Sequence, residues 1–334
     1  MGKIGFLYVF SFSISVAISA QEFPLIIDND CGVDDVIATT LQLLKAPKNV
    51  RAITIVPADS YAQPAAWVMM HLCDFLLPTP LDIPIGVSTY EGMNPFPNIW
   101  REDAWSLTRI PLWQQHQETV FRPFVFENIP SSLAVLTQVL NETPTQLDIL
   151  ETGPCTNIAE VLSVHPELKN KIHQIVMMGG ALHVKGNVTE QGHDESAEWN
   201  IYNNPQAFLE LLQSEIPLTL VSLDATQYTP IRKEFINQLK QNLATKSCQL
   251  VYESLQIIKQ LIDIGQYLFW DTLTSAVVIN PAIIKTEQVK INVHTKGPSM
   301  GKIFEDPQGF NVNIATWADQ KLFETTVLDI LLGH

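Results

Sequence analysis

The stretch that decides the fold is Leu25-Ile26-Ile27-Asp28-Asn29-Asp30-Cys31-Gly32-Val33-Asp34-Asp35, near the start of the chain. Its first three residues are apolar and predict a buried strand, and the residues after it have the apolar spacing of a helix. Four carboxylates lie within eight residues at this junction. Ionised carboxylates so close together repel one another unless a cation lies among them. Because all-oxygen ligands suit Ca²⁺ or Mg²⁺ better than zinc, the stretch predicts a metal site at a strand end.

Two other interpretations account for part of this acidity. Asp34 and Asp35 could serve the first turn of the helix, where carboxylates meet free N–H groups, but Asp28 and Asp30 would then be unexplained. A strand followed by Asp-x-Asp also resembles the nucleophile loop of haloacid-dehalogenase-type phosphatases. That alternative needs a distant acidic pair and a phosphate-binding group, whereas here the acidic pair follows at once and no glycine-rich phosphate loop is visible.

Strands and helices alternate along most of the chain. After the first strand and a helix over 34–44, the pattern predicts strands over 52–56, 83–87, 147–150, 172–178 and 218–223, and helices over 65–77, 131–140, 157–164, 205–212 and 272–278. This alternation predicts an α/β fold, an open and mostly parallel sheet with helices on both faces. Ligands of such sheets bind beyond the carboxyl ends of the strands, where this chain is polar and rich in glycine.

The remaining signals concern export and partners. An apolar run from Ile4 to Ile18, followed by Ser19 and Ala20, predicts a signal peptide over 1–20, a secreted protein and one catalytic domain over 21–334, with an uncleaved signal anchor as the alternative.

The formal net charge of −15 argues against nucleic acid, or a membrane after signal cleavage, as a partner. Four cysteines are too few for a disulfide scaffold, and their pairing cannot be deduced from the sequence.

Several motifs, in order, resemble the inosine-uridine-type nucleoside hydrolase family. Residues 28–35 match its Asp-x-Asp-x-x-x-Asp-Asp signature, 152–157 its Thr-Gly-Pro-x-Thr-Asn turn and 178–180 its Met-Gly-Gly turn. Residues 186–202 resemble its sugar-binding segment, and Asp271 its last metal ligand. Members of this family have a Rossmann-like fold and split the N-glycosidic bond of ribonucleosides with water and a bound Ca²⁺.

The resemblance implies a role for each matching position. The ligands of Ca²⁺ would be Asp30, Asp35, Asp271 and the backbone carbonyl of Thr152, completed by the ribose 2′- and 3′-hydroxyls. The substrate would be bound by Asp34, Trp100, Met178, Asn187, Glu198 and Asn200. Asp59 departs from the family, since many members have Asn there; an acid at this position could accept a hydrogen bond from the base or the ribose, and a solvated acid in a turn is the alternative. Asp30 would also be the general base that takes a proton from the attacking water. Trp270 would help the base to leave.

Two tryptophans favour purines as substrates. Trp270 stands where many pyrimidine-accepting members have His, and residues 93–101 resemble a loop of the purine-preferring branch. A purine stacked between Trp100 and Trp270 could leave more readily as a neutral base, although core packing would also explain both residues.

Taken with the family resemblance, these residues predict Ca²⁺-dependent hydrolysis of purine ribonucleosides, by a protein that we expect to be a homodimer or homotetramer. A broad-specificity ribonucleoside hydrolase and a secreted nucleoside-binding protein without turnover are the alternatives.

Two N-glycosylation sequons begin at Asn141 and Asn187. A bulky glycan needs an exposed site, whereas the resemblance makes Asn187 a sugar ligand inside the pocket. We therefore expect a glycan on Asn141 and none on Asn187.

Overall fold

A computed structural model describes residues 23–77, 82–116 and 119–334 of the chain. The predicted signal peptide at 1–20 lies outside these ranges. The strands are β1 (Leu25–Asn29), β2 (Val50–Ile55), β3 (Ile85–Val87), β4 (Leu147–Glu151), β5 (Ile172–Met178), β6 (Leu218–Val221), β7 (Ile284–Val293), β8 (Ile303–Glu305) and β9 (Phe310–Ala318). They form one sheet in the order β3-β2-β1-β4-β5-β6-β9-β7-β8.

The sheet is mostly parallel. Every neighbouring pair from β3 across to β9 runs parallel, whereas β7 pairs antiparallel with both β9 and β8. This arrangement confirms the predicted α/β fold. The antiparallel strands that complete the sheet at its far edge were not part of the prediction.

Helices cover both faces of the sheet. They are α1 (Val33–Lys45), α2 (Ala62–Leu76), α3 (Asn98–Arg101), α4 (Asp103–Leu107), α5 (Leu112–Gln115), α6 (Ser132–Glu142), α7 (Thr156–Val164), α8 (Trp199–Asn203), α9 (Pro205–Gln213), α10 (Leu223–Thr226), α11 (Lys233–Gln241), α12 (Lys246–Ile257), α13 (Lys259–Asp263), α14 (Asp271–Ile279) and α15 (Gln320–Leu332). Ile27 belongs to the core beneath α1, α2, α12, α14 and α15, and its neighbour Ile26 to the core beneath α6, α7 and α9. Because adjacent strand residues point to opposite faces, this split places one apolar layer on each side.

Strand β1 lies in the middle of the parallel region. All five of its residues are buried, as expected for a strand covered on both faces. In the ladders, Asp28 is level with Thr54 of β2 and Glu151 of β4, so these three strands end together. The residues that follow them therefore meet at one edge of the sheet.

Two features of the chain as a whole complete the fold. None of the helices in the described ranges has the length and apolar character needed to span a bilayer. All four cysteines are free and buried, so they contribute to the core as small apolar side chains.

Candidate active site

A cavity of about 460 Å³ opens at the carboxyl edge of the parallel strands. The predicted residues that line it are Asp30, Asp59, Trp100, Thr152, Met178, Asn187, Glu198, Asn200, Trp270 and Asp271. Sequence reasoning did not single out the others, which are Phe96, Asp103, Thr189, Trp199, Leu261, Gln266 and Tyr267. Residues that lie far apart along the chain are thus brought to one cavity by the parallel topology.

The turn after β1 aims Asp30 into this cavity. Cys31, the next residue, has a left-handed backbone with φ of 60°, which non-glycine residues seldom adopt outside constrained sites. Asp59 N–H donates to Asp30 Oδ2 at 3.2 Å, and Ser60 Oγ donates to the Asp30 carbonyl at 2.5 Å. A Cβ on Gly153 would lie only 3.0 Å from the Asp30 nitrogen, so the turn after β4 needs glycine. These contacts fix the position of the Asp30 carboxyl.

Three buried carboxyls lie together at this edge. The side chains of Asp30 and Asp35 are close enough for each to shift the pKa of the other, and Asp35 accepts from Thr152 Oγ1 at 2.5 Å and Gly32 N–H at 2.7 Å. Burial raises the pKa of Asp35 to about 6 and that of Asp30 well above its usual range. The pKa of Asp271 is likewise raised well above its usual range, first by burial and then by the charge of Asp35.

These carboxyls fit a hard cation. Ionised carboxylates in a buried group repel one another, and a cation bound among them would remove that repulsion. Neither Lys nor Arg is found among the described residues that line the cavity, so no side-chain cation there balances the acids. In the part of the chain that the structure describes, no three His, Cys, Asp or Glu side chains are already arranged to hold a metal. The fit therefore rests on the all-oxygen chemistry of the group.

The side chain of Asp34 contacts the start of α14. Asp271 N–H donates to Asp34 Oδ2 at 2.6 Å, and the Thr272 hydroxyl donates to its other oxygen. Burial raises the pKa of Asp34 to about 7. Both of its oxygens bind the start of α14, and neither Asp34 nor Asp35 is among the described residues that line the cavity. The hydrogen bonds to α14 hold Asp271 in place. The predicted contact of Asp34 with the sugar stays a prediction.

Asp28, the first acid of the opening stretch, also lies below the cavity. Its Oδ1 accepts from Thr54 Oγ1 and from Asn157 Nδ2, both at 2.7 Å. Burial raises its pKa to about 6. Through Oδ1 the side chain thus links β1 to β2 and α7, whereas its Oδ2 is buried with no hydrogen-bond partner among the described residues.

A second group of polar side chains comes from the segment before α8. Glu198 accepts hydrogen bonds from the backbone N–H groups of Gly180 at 3.0 Å and Asn200 at 2.8 Å. Asn200 Nδ2 donates to the Thr152 carbonyl at 3.1 Å and to the Met178 carbonyl at 3.3 Å. A carbonyl oxygen has two lone pairs, so the Thr152 carbonyl can still accept a further ligand. The predicted sugar segment and the predicted metal carbonyl are therefore in direct contact.

Asn187 joins the same group through its side chain. Its Oδ1 accepts from Trp199 N–H at 3.1 Å, and its own backbone N–H donates to the Ala197 carbonyl at 2.9 Å. A Cβ on Gly186 would lie 2.1 Å from that carbonyl oxygen, so only glycine allows these two backbone segments to approach. The amide of Asn187 is thereby held at the cavity wall.

Aromatic rings form the rest of the wall in two groups. The Trp100 and Trp199 ring centroids are 5.2 Å apart, with Phe96 4.9 Å from Trp199. The Tyr267 and Trp270 centroids are 4.7 Å apart. Trp100 is 38% exposed and is therefore not a core residue. Both predicted tryptophans face the cavity, each within a different aromatic group.

Of the lining residues that the sequence did not single out, Phe96 lies in the quoted segment 93–101, and Thr189 and Trp199 lie in 186–202, whereas the rest belong to no quoted motif. Phe96 and Asp103 belong to the long segment that contains α3 and α4, and Tyr267 precedes α14. For Asp103, the proximity to the predicted Trp100 was the only available signal. Their places in the cavity depend on how these segments pack against the sheet.

Comparisons with known proteins identify the family of this chain. A family model described as inosine-uridine preferring nucleoside hydrolase matches residues 25–325. The pyrimidine-specific ribonucleoside hydrolase RihA of Salmonella enteritidis is 29% identical over 283 residues, which are 82% of this chain and 85% of that protein. The protein of the same name from Escherichia coli has the same identity and coverage.

Solved structures show the same architecture. An inosine-uridine preferring nucleoside hydrolase from Bacillus anthracis has a TM-score of 0.84 and 27% identity, covering 93% of this chain and 99% of that one. A purine-preferring ribonucleoside hydrolase from Gardnerella vaginalis has a TM-score of 0.73 and 24% identity, covering 92% and 98%, which is a likeness of fold alone. The match over residues 25–325 shows that this chain belongs to the inosine-uridine preferring nucleoside hydrolase family, hydrolases that act on N-glycosyl compounds.

Proposed function

We propose that this chain hydrolyses purine ribonucleosides to ribose and the free base with the help of a bound Ca²⁺. The observation that carries the proposal is one cavity that combines two kinds of wall. Buried carboxyls follow the strand ends, whereas tryptophans lie on α3, on α8 and just before α14. The carboxyl oxygens of such a cavity could bind a cation that also coordinates the hydroxyls of a sugar. The aromatic rings could stack on the flat base.

Asp30, Asp35, Asp271 and the Thr152 carbonyl would hold the ion, which when bound would polarise water and the ribose diol. Asp30 accepts the proton of the water that attacks C1′, since its carboxyl is fixed at the cavity wall. Asn187, Glu198 and Asn200 lie along the same wall and orient the ribose hydroxyls.

The base would lie among the aromatic rings. Stacking on an aromatic side chain stabilises a nucleic acid base by ~1–3 kcal/mol, and a two-ring purine offers more area than a pyrimidine. Trp100 and Trp270 belong to different aromatic groups of one cavity, which supports a base held between two rings. Of the described residues, no histidine lines the cavity.

The named relatives favour a second candidate. The proteins called RihA are, by name, pyrimidine-specific, and they are 29% identical to this chain. Hydrolysis of pyrimidine ribonucleosides, alone or together with purine ribonucleosides, would use the same carboxyls, those of Asp30, Asp35 and Asp271, which we call the carboxylate wall. The two candidate functions differ only in which base, purine or pyrimidine, the aromatic rings bind.

Steady-state kinetics with five ribonucleosides tests the choice. We expect kcat/KM for inosine, guanosine or adenosine to be well above that for uridine and cytidine. Equal or better turnover of uridine would replace the purine proposal with the second candidate. Absence of turnover for all five ribonucleosides would refute the proposed hydrolase activity.

A further inference from the structure

Asp103 is an acid in the cavity to which none of the roles above is assigned. It is the first residue of α4 and follows Trp100 by three positions. Its side chain is half-buried and lines the cavity. Throughout the described ranges its carboxyl has no hydrogen bond or ion pair to another residue. Because the carboxyl is open to the cavity and bound to no other described residue, it is free to contact a ligand there.

The surroundings of Asp103 favour its protonated form. Burial raises the pKa of Asp103 to about 6. The titratable groups that interact with it are Asp59 and Tyr267, whose own pKa values its charge raises. Helix α4 packs against α1, α2 and α12, and of the described residues none on these helices contributes to the pKa of Asp103. Arg101, two residues away, acts on Asp59 and faces the Pro57 and Ser60 carbonyls.

The reaction needs a proton at this end of the cavity. Breaking the bond between C1′ and the base leaves the electron pair on the base, which departs more easily after protonation of a ring nitrogen. Glycosidases supply the corresponding proton from a carboxylic acid with a raised pKa. Asp103 lines the same cavity as Trp100, three residues before it, and as Tyr267, whose pKa its charge raises, so it lies among the rings between which the base would be held.

Other acids of the cavity are less suited to this step. Asp59 Oδ1 is buried without a hydrogen-bond partner in the described ranges, but Asp59 lies next to the carboxyls at the strand ends, since its backbone N–H donates to Asp30 and its Oδ2 would lie 2.8 Å from a Cβ on Gly32. Glu198 accepts from several backbone N–H groups. The phenol of Tyr267 is a poor acid because burial raises its pKa well above the usual range.

We propose that Asp103 is the general acid that protonates the leaving base. The inference rests on the proposed function. In this step the C1′–N bond breaks, the base takes its electron pair and the Asp103 proton, and water oxygen bonds to C1′ while its proton passes to Asp30. Ribose and neutral base leave, and solvent returns the proton from Asp30 to Asp103.

The test compares two ribosides in wild type and Asp103→Asn. Inosine needs a proton on its leaving group, whereas 4-nitrophenyl β-D-riboside releases a stable phenolate that needs none. We expect Asp103→Asn to lower kcat for inosine by on the order of 10²–10⁴-fold. Turnover of the nitrophenyl riboside should be nearly unchanged. Glu102→Gln, which removes the adjacent exposed carboxylate, is the matched control and should leave both reactions intact.

The pH dependence gives a readout that does not need a variant. A general acid must be protonated, so wild-type kcat for inosine should fall as pH rises above about 6, whereas kcat for the nitrophenyl riboside should lack this limb. Asp103→Glu should partly restore inosine turnover. Equal losses on both substrates, or normal inosine turnover in Asp103→Asn, would overturn the inference. Failure of the wild type itself to hydrolyse either riboside would instead refute the proposed function.

Discussion

Replacing Trp270 with Ala tests the stacking of the base. The change removes one ring from the cavity and the 4.7 Å contact with Tyr267. Loss of stacking is worth ~1–3 kcal/mol per base, which corresponds to a decrease of about 5- to 150-fold in kcat/KM for inosine. Because a one-ring base covers less of the indole, uridine should lose less. The ratio of inosine to uridine kcat/KM should therefore fall.

The assay is steady-state hydrolysis of both nucleosides, with thermal unfolding as a check on the fold. Trp270→Phe keeps a ring and should retain most of the inosine activity. Trp317→Ala is the matched control, since Trp317 lies outside the cavity against Lys285. A decrease in kcat would mean that stacking helps the base to leave, and a pure rise in KM that it only binds. Lower thermal stability with unchanged kinetics would refute the stacking role and indicate a core residue.

Two further predictions concern the carboxylate wall and export. Asp30→Asn should reduce kcat for inosine by on the order of 10²–10⁴-fold, because it removes the proton acceptor, and near-normal kcat would exclude Asp30 as the base. In a eukaryotic secretory host we expect a glycan on Asn141, which is exposed near the end of α6, and none on Asn187, whose side chain lines the cavity. Mass spectrometry that finds a glycan on Asn187 of fully active protein would remove this residue from the site.

The parallel part of the fold could be predicted because its signals are local. The apolar run of β1 and the helical spacing of α1 adjoin in sequence, and the same alternation repeats through β6. Strand β7 is different, since buried and exposed residues do not alternate regularly along it. Its pairing with β9 depends on contacts between distant parts of the chain.

Some residues of the candidate site could likewise be predicted from local sequence signals, whereas others depend on the packing of distant segments. Asp30, Thr152 and Asp271 are recognisable because a strand end or a motif marks each one. Asp34 shares the motif, yet the start of α14 occupies both of its oxygens, and only the packing of α1 against α14 reveals this. Asp103 carries no motif at all, because its place depends on how a long segment folds over the strand ends.

The most direct test of the account is release of reducing sugar from inosine by the purified protein before and after treatment with a chelator. The account predicts ribose release that the chelator abolishes and that added Ca²⁺ restores, because the carboxylate wall needs a cation to bind the diol and activate water. Undiminished release in the metal-stripped protein, with removal of the metal verified by elemental analysis, would contradict it.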